Sequence, residues 1–410
     1  MILKLSCRNI FRQKKRTALT LITVIVAICF AVIGDGLNSG LKWQLKNVYI
    51  HTETSSLKIY RKDFKPKDED INPLEHPFLN FDEIDKLVSS TAWIKASSAR
   101  ISFTGSAVSS GLELPCRFLG IDGERENAVF NRKNDLVSGQ FLDPADSTSV
   151  VIGMELAALL SVKTGDFVTI IARTSLKAIN AYDCRICGII RTGNPMIDSS
   201  QIFLSRGFAS DFVQSGPTEI AVLADTQDDF RLFPLTDKLN ASFSSHDARA
   251  DSWLVELADL FSLIRMREKI FAIIVGFILI MAAAGIANTM LMAMLERKRE
   301  IGILMAGGMS RREILSLFLS EGTFIGLLGS LIGMCLGAAI VHYYQIHGIR
   351  VPADITKVGG DFPVRDMFYP YLNWSMALFY FLIGSGVAML SSLYPAWRAL
   401  QLDPVEAIKG

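Results

Sequence analysis

The sequence predicts an α-helical membrane protein with four transmembrane helices plus an α+β extracytoplasmic domain. Three observations carry this. Four apolar segments each reach the roughly 20 residues that cross a bilayer. Lys and Arg cluster at one set of span ends. Between the first two spans the pattern changes to the mixed, strand-rich alternation of a globular domain. The 410-residue chain is 50% hydrophobic with a net charge of +1. Its apolar residues are therefore partitioned into segments rather than unusually abundant, and no global basic field points to nucleic acid as a partner.

The first span is assigned to residues 17–36, uncharged until Asp35. The second is 270–295, the third 314–341 with Glu321 inside it, and the fourth 374–397. Arg8, Arg12, Lys14, Lys15 and Arg16 precede the first span. Arg297, Lys298, Arg299, Arg311 and Arg312 lie between the second and third, and Arg398 and Lys409 follow the fourth. The positive-inside rule then puts both termini and the connection 296–313 in the cytoplasm, with residues 37–269 and the loop 342–373 outside. Residues 1–16 carry Leu3, Cys7, Ile10 and Phe11 at helical spacing, which suits an interfacial amphipathic helix. No small-x-small cleavage site follows the first apolar run, so it reads as a retained anchor. Residues 398–410 form a cytoplasmic tail.

Two stripes bracket the α+β domain. Leu37, Leu41, Leu45 and Val48 follow the first span, and Trp253, Leu254, Leu257, Leu260, Phe261 and Ile264 precede the second. Helical spacing lets two such faces bury each other as a stalk. Between them, strands are predicted at 57–60, 150–152, 167–172, 186–190 and 219–223, and helices at 82–88, 153–160 and 228–239. Gly120–Gly123 and Thr164–Asp166 read as turns. Short strands dominate a β-rich lobe at about 110–205.

Nothing in the chain reads as an enzyme. It has no G-x-x-x-x-G-K-[ST] phosphate loop, no H-E-x-x-H and no G-x-S-x-G. Cys184 and Cys187 form a lone C-x-x-C on a predicted strand, where i and i+3 face opposite ways, and no second pair completes a zinc site. A disulfide to Cys116 stays open at this level.

The connection 296–313 holds the densest information. It reads Glu296-Arg297-Lys298-Arg299-Glu300-Ile301-Gly302-Ile303-Leu304, then Gly307-Gly308, then Ser310 and Glu313. Topology requires the basic residues, but not the three glutamates or apolar Ile301, Ile303, Leu304 and Met305, which need a partner surface of lipid or protein. Ser310 and Glu313 have capping-box spacing, so a helix starts there after a glycine turn. Within the third span, Gly322, Gly326, Gly329, Gly333 and Gly337 form a small-residue stripe for close helix packing, within the chain or across a dimer. Glu321 is costly in a bilayer and must reach the interface or pair with a loop arginine.

The stretch from Glu296 through Gly322, together with Tyr394-Pro395-Ala396-Trp397-Arg398-Ala399 and Asp403-Pro404-Val405-Glu406-Ala407, resembles the FtsX-like permease domain. That domain is shared by MacB-type exporters and the LolC/LolE lipoprotein-releasing permeases. Val137–Gly139, Val150–Gly153 and Thr164–Asp166 are similar to a MacB-like periplasmic core domain, and Arg8–Arg12 with Ser56–Tyr60 lean toward the Lol-type branch. The resemblance implies a bacterial inner-membrane ABC transporter permease that works as a dimer with a second copy or a related permease. It implies a separate ATPase subunit that holds ATP and Mg, so that this chain itself binds no cofactor. Glu296, Arg297, Lys298, Arg299, Glu300, Ile301, Gly302, Leu304, Gly307 and Gly308 then fall in the ATPase-docking loop. Such permeases transmit force through a stalk, here carried by Leu41, Leu45, Trp253, Leu257 and Phe261, and the implied work is lipoprotein release or amphiphile export with a periplasmic carrier or adaptor. An FtsX-like regulator that activates a cell-wall enzyme is the alternative.

Overall fold

A computed structural model describes residues 14–66, 72–143, 146, 148–226, 229–350 and 367–401, without the side chains of 14–16, 229, 230, 245 and 304. The predicted N-terminal amphipathic helix up to residue 13, the middle of the loop 342–373 and the tail from 402 lie outside these residues. So does the Asp403–Ala407 part of the family resemblance. Contacts divide the chain into two units. One comprises the residues up to Trp43, Leu263–Arg350 and the residues from Met367; the other is essentially Gln44–Ser262.

The helical unit is built from α1 (Lys14–Tyr49), α2 (Ala258–Glu296), α3 (Lys298–Ala306), α4 (Arg311–His347), α5 (Trp374–Ser391) and α6 (Leu393–Leu400). Among the described residues, α1, α2, α4 and the α5–α6 pair are the four helices long and apolar enough to cross a membrane. α1 and α2 run well beyond residues 17–36 and 270–295, and the unit boundary falls inside each of them. Val24, Ile28, Val32, Ile286, Met290, Ile325 and Ala388 form the shared core. Ile270, Ile273, Phe277, Ile280 and Met281 of α2 point outward, the apolar-all-round pattern that suits lipid.

The glycine stripe of α4 meets two helices of the same chain. A Cβ on Gly322 or Gly326 would lie 2.5 Å from Ser392 Cβ or 2.6 Å from Ala388 Cβ. One on Gly329, Gly333 or Gly337 would lie 2.9 Å from Val24 Cβ, 2.7 Å from the Ile25 carbonyl oxygen or 2.9 Å from Val32 Cβ. The stripe thus splits between α5 and α1, and backbones approach where side chains would not fit. The fourth apolar segment, expected as one helix over 374–397, breaks at Ser392. Pro395 explains the position: it has no N–H for the Ser391 carbonyl, and its ring would clash there.

The α+β unit holds strands β1 (Leu57–Arg61), β2 (Ile94–Ser109), β3 (Leu112–Ile121), β4 (Leu136–Gly139), β5 (Ser149–Gly153), β6 (Phe167–Arg173), β7 (Ile179–Ile190), β8 (Gln201–Ser205), β9 (Glu219–Ala224) and β10 (Ala248–Ser252). The order β2-β3-β8-β5-β7-β6 returns to β2, which closes a six-stranded barrel. Closure removes sheet edges. Alternate residues such as Ile101, Phe103, Phe118, Val150, Ile170, Ile186 and Ile202 fill its interior. The first half of β2 instead pairs with β9 in the antiparallel layer β10-β1-β9-β2. The β-rich lobe is therefore this barrel, and it begins near Ile101 because one long strand serves both layers.

Helices Phe81–Ser90, Met154–Leu159 and Asp229–Ser242 stand where periodicity predicts them. The Gly120–Gly123 turn is instead a helix start: Asp122 Oδ1 accepts from the N–H groups of Glu124 and Arg125, both at 3.2 Å, and caps Gly123–Phe130. Short helices Pro195–Ser200 and Arg206–Val213 carry too little periodicity to be read from sequence. Cys184 lies in the barrel core, while Cys187 donates its Sγ–H to the Val150 carbonyl at 3.2 Å. Both, like Cys116, are free thiols.

Candidate docking surface and helix joints

The connection between the second and third apolar helices is itself structured. α2 ends at Glu296, and α3 continues after a bend at Arg297, whose N–H is shared between the Ala293 and Met294 carbonyls. Arg297 turns inward and its Nη1 lies 3.3 Å from Glu321 Oε1, with both side chains buried. The pair resolves the cost of a carboxylate within an apolar helix. It also corrects the docking assignment of Arg297, which has no free surface to offer. Ile301 is buried against Met294, Ile314, Phe318, Ala396 and Ala399, with Met305 half-buried beside them. Gly302 is buried as well, so Ile301 and Gly302 meet their own chain rather than a partner.

The opposite face of α3 is open. Glu296, Arg299, Glu300, Ile303, Gly307 and Gly308 are exposed, and Lys298 is half-exposed. Gly308 has φ +93, a left-handed conformation that side chains resist, and this turns the chain into α4. There the capping box forms: Glu313 N–H donates to Ser310 Oγ at 3.4 Å, and Ser310 N–H donates to Glu313 Oε2 at 2.8 Å. The Leu304 side chain lies outside the described set. The foot of the bundle thus presents a short helix, fixed from behind, with a charged and apolar outer face.

In the α+β unit the end of α1 is gripped by buried charge. After Tyr49 the helix widens into a π turn, Ile50–Thr54. Arg100 Nη1 donates to the Glu53 carbonyl at 3.1 Å, and Arg132 Nη2 donates to the Thr52 carbonyl. Carbonyls at a helix C-terminus lack intrahelical partners and carry partial negative charge, so two guanidinium groups satisfy both needs. Arg100 also holds Glu126 through bonds of 2.6 and 3.1 Å and Glu219 at 3.4 Å. Lys58 Nζ lies 3.5 Å from Glu219, and Arg117 Nη1 lies 2.7 Å from Glu53 Oε1. Burial would raise the Glu219 carboxyl, but Lys58, Arg100 and Arg117 outweigh it and hold it at about 2. Burial also opposes ionisation of Glu126, and Arg100 and Arg132 hold its carboxyl below the usual range.

The start of α2 is fixed to the same unit. Trp253 N–H donates to the Ser56 carbonyl at 3.2 Å, Lys46 Nζ stands 4.5 Å from the Trp253 ring centre, and Trp253 meets Phe261 edge-on at 5.6 Å. Of the predicted stripe, Leu45, Trp253, Leu257 and Phe261 are buried and Leu41 is half-buried, whereas Leu37 is 39% exposed and does not belong to it. Within the helical unit α1 and α2 also meet, through Phe30 and Phe271 at 6.2 Å and Lys42 and Glu268 at 3.5 Å.

Residues 17–232, more than half of the chain, match the MacB-like periplasmic core domain, and residues 272–404 match the FtsX-like permease C-terminal family. The chain belongs to the MacB-like, FtsX-like permease family. Among the relatives of this permease is the ABC transporter permease YtrF of Bacillus subtilis, 28% identical over 70% of this chain and 65% of that protein. The uncharacterized ABC transporter permease MJ1507 of Methanocaldococcus jannaschii is 24% identical over 100% of this chain and 98% of its own length. The lipoprotein-releasing system transmembrane protein LolE of Haemophilus influenzae is 22% identical over 83% of each chain. In this permease, sequence reasoning located the α3 region, but it missed Arg100 and Arg132. Neither stands out locally: Arg100 is one charge in the run Ala99–Phe103, and Arg132 lies among the polar residues Asn131, Lys133, Asn134 and Asp135.

Proposed function

We propose that this permease is the membrane subunit of an ABC transporter, driven by a separate ATPase that docks on the exposed face of α3 and the Gly307–Glu313 turn. The observation that carries this is the two-faced α3. Its inner face is packed and ion-paired into the bundle foot, so a push on Arg299, Glu300 and Ile303 moves α2 and α4 rather than a loose loop. The same chain grips the far ends of α1 and α2 within the α+β domain, which gives the motion an output. The charge pattern supports cytoplasmic termini, a cytoplasmic α3 and a periplasmic α+β domain in the bacterial inner membrane. The work performed there is release or export of lipoproteins or other amphiphiles, in keeping with the names of the Lol relatives, by a dimer of permeases.

The test is co-purification of the tagged permease with an ABC-type ATPase subunit from the cells that produce it. Arg299→Glu combined with Glu300→Lys is expected to abolish capture of the ATPase while leaving the melting temperature of the permease unchanged. Undiminished capture by that variant would remove α3 as the docking face.

A further inference from the structure

Two of the four apolar helices break at one level of the bundle foot. α2 stops at Glu296 and α3 starts at Lys298, with Arg297 between them at φ −100 and ψ 12, outside helical conformation. α5 stops at Ser391 and α6 starts at Leu393, with the buried Ser392 between them. α4 runs unbroken past both, and two consecutive residues of it meet the two breaks. Arg297 Nη1 lies 3.3 Å from Glu321 Oε1, and a Cβ on Gly322 would lie 2.5 Å from Ser392 Cβ. Below this level Ile301, Ile314, Phe318, Ala396 and Ala399 form an apolar cluster with Met294. Above it Ile28, Ile286, Met290, Ile325 and Ala388 belong to another, and among the described residues the two share no member. A helix carries a push along its ladder of backbone bonds, and at Arg297 that ladder is disturbed: its N–H is divided between the Ala293 and Met294 carbonyls at 3.2 and 3.1 Å. Element-terminal residues of this kind are where joined elements swing.

We propose that Arg297 is a positioning residue that couples α3 to the bundle: its ion pair with Glu321 clamps the α2–α3 break onto α4, so that motion of α3 enters α2 instead of being absorbed at the break. The proposal rests on the reading that an ATPase docks on α3. Stability does not account for the pair, because a buried ion pair replaced by apolar groups of similar volume is often as stable or more so. What the pair supplies is position. A charge-assisted contact between a guanidinium and a carboxylate has a defined direction, whereas the apolar contacts around Ile301 are non-directional and tolerate sliding. At 9% and 7% side-chain exposure the two charges are screened little by salt. The close approach of Gly322 to Ser392 fixes the second break to the next residue of α4, there by shape rather than by charge.

The test uses the permease co-purified with its ATPase and reads hydrogen–deuterium exchange by mass spectrometry before and after adding Mg and the non-hydrolysable nucleotide AMP-PNP. In wild type the nucleotide should change exchange in α3 and also in residues 258–269, at the far end of α2. Arg297→Met combined with Glu321→Leu should keep the melting temperature, the capture of the ATPase and the change in α3, while the change at 258–269 falls about twofold or more, as it does when coupling is weakened. Arg297→Lys keeps an ion pair and should keep the distant change. Glu321→Asp keeps both charges but withdraws the carboxylate by one methylene. It should weaken the distant change alone, and it decides the matter if the apolar pair melts early. An undiminished change at 258–269 in the folded apolar pair, or in Glu321→Asp where that pair melts early, would overturn the proposal, as would a wild-type response confined to α3. Absence of any change in α3 of the wild-type complex would instead remove the docking reading, and the clamp with it.

Discussion

Replacing Arg100 by Met tests the reading that buried charge anchors α1 in the α+β domain. The wild-type guanidinium is 1% exposed and holds Glu126, Glu219 and the Glu53 carbonyl at once. Met keeps much of the volume but leaves Glu126, 0% exposed, with Arg132 as its remaining cation at 3.6 Å. Breaking a buried pair by removing one partner costs about 3–5 kcal/mol, because the other charge stays behind uncompensated. A domain is stable by only about 5–15 kcal/mol, so the loss is a large fraction of the total. Denaturant unfolding of the full-length protein in detergent, followed by near-ultraviolet circular dichroism, reads the change as a lowered midpoint at constant slope. Adding Glu126→Gln removes the stranded charge and should return about 1–2 kcal/mol of the loss. A cost below about 1 kcal/mol for Arg100→Met, or no recovery with Glu126→Gln, would refute the reasoning, since water or a neighbour would then be doing the work assigned to Arg100.

Two further outcomes follow from the geometry. Gly333→Leu should lower the melting temperature by the equivalent of about 1–3 kcal/mol, since its Cβ would meet the Ile25 carbonyl at 2.7 Å, whereas Gly276→Ala, with nothing within 4 Å, should leave it unchanged; equal effects would dissolve the α1–α4 contact. On acidification, Glu219 has a folded value near 2 against an ordinary 4.5, so its contribution is full above about 4.5 and is lost as the pH falls toward 2. That shift corresponds to about 3 kcal/mol. Glu256, raised by burial, acts in the other direction, costing stability as the pH rises past the ordinary value. Denaturant midpoints between pH 3 and 7 should therefore fall less steeply on acidification in Glu219→Gln than in wild type.

Much of this protein was legible without coordinates because its signals are local. The capping box needs only Ser310 and Glu313 three residues apart, and the α4 stripe needs only glycines at helical spacing. The docking set was legible as a segment but not residue by residue. Arg297 and Ile301 look like their neighbours in sequence, yet they face inward because a helix four residues long already has two sides. Leu37 fits the spacing of the first stripe but is exposed, since spacing says which residues share a face and not how far the partner extends.

Alternation, apolar length and charge asymmetry by themselves determined four long apolar helices, a mixed domain between the first two and a structured connection after the second. Each depends on residues within one or two turns of one another. Tertiary structure alone decided that Glu321 pairs with Arg297, 24 positions away, and that β6 returns to β2 to close a barrel. It alone placed Arg100 and Arg132 on the carbonyls of the π turn that ends α1. Those outcomes depend on which distant groups burial brings together, because a charge taken from water must find its partner wherever the fold supplies one.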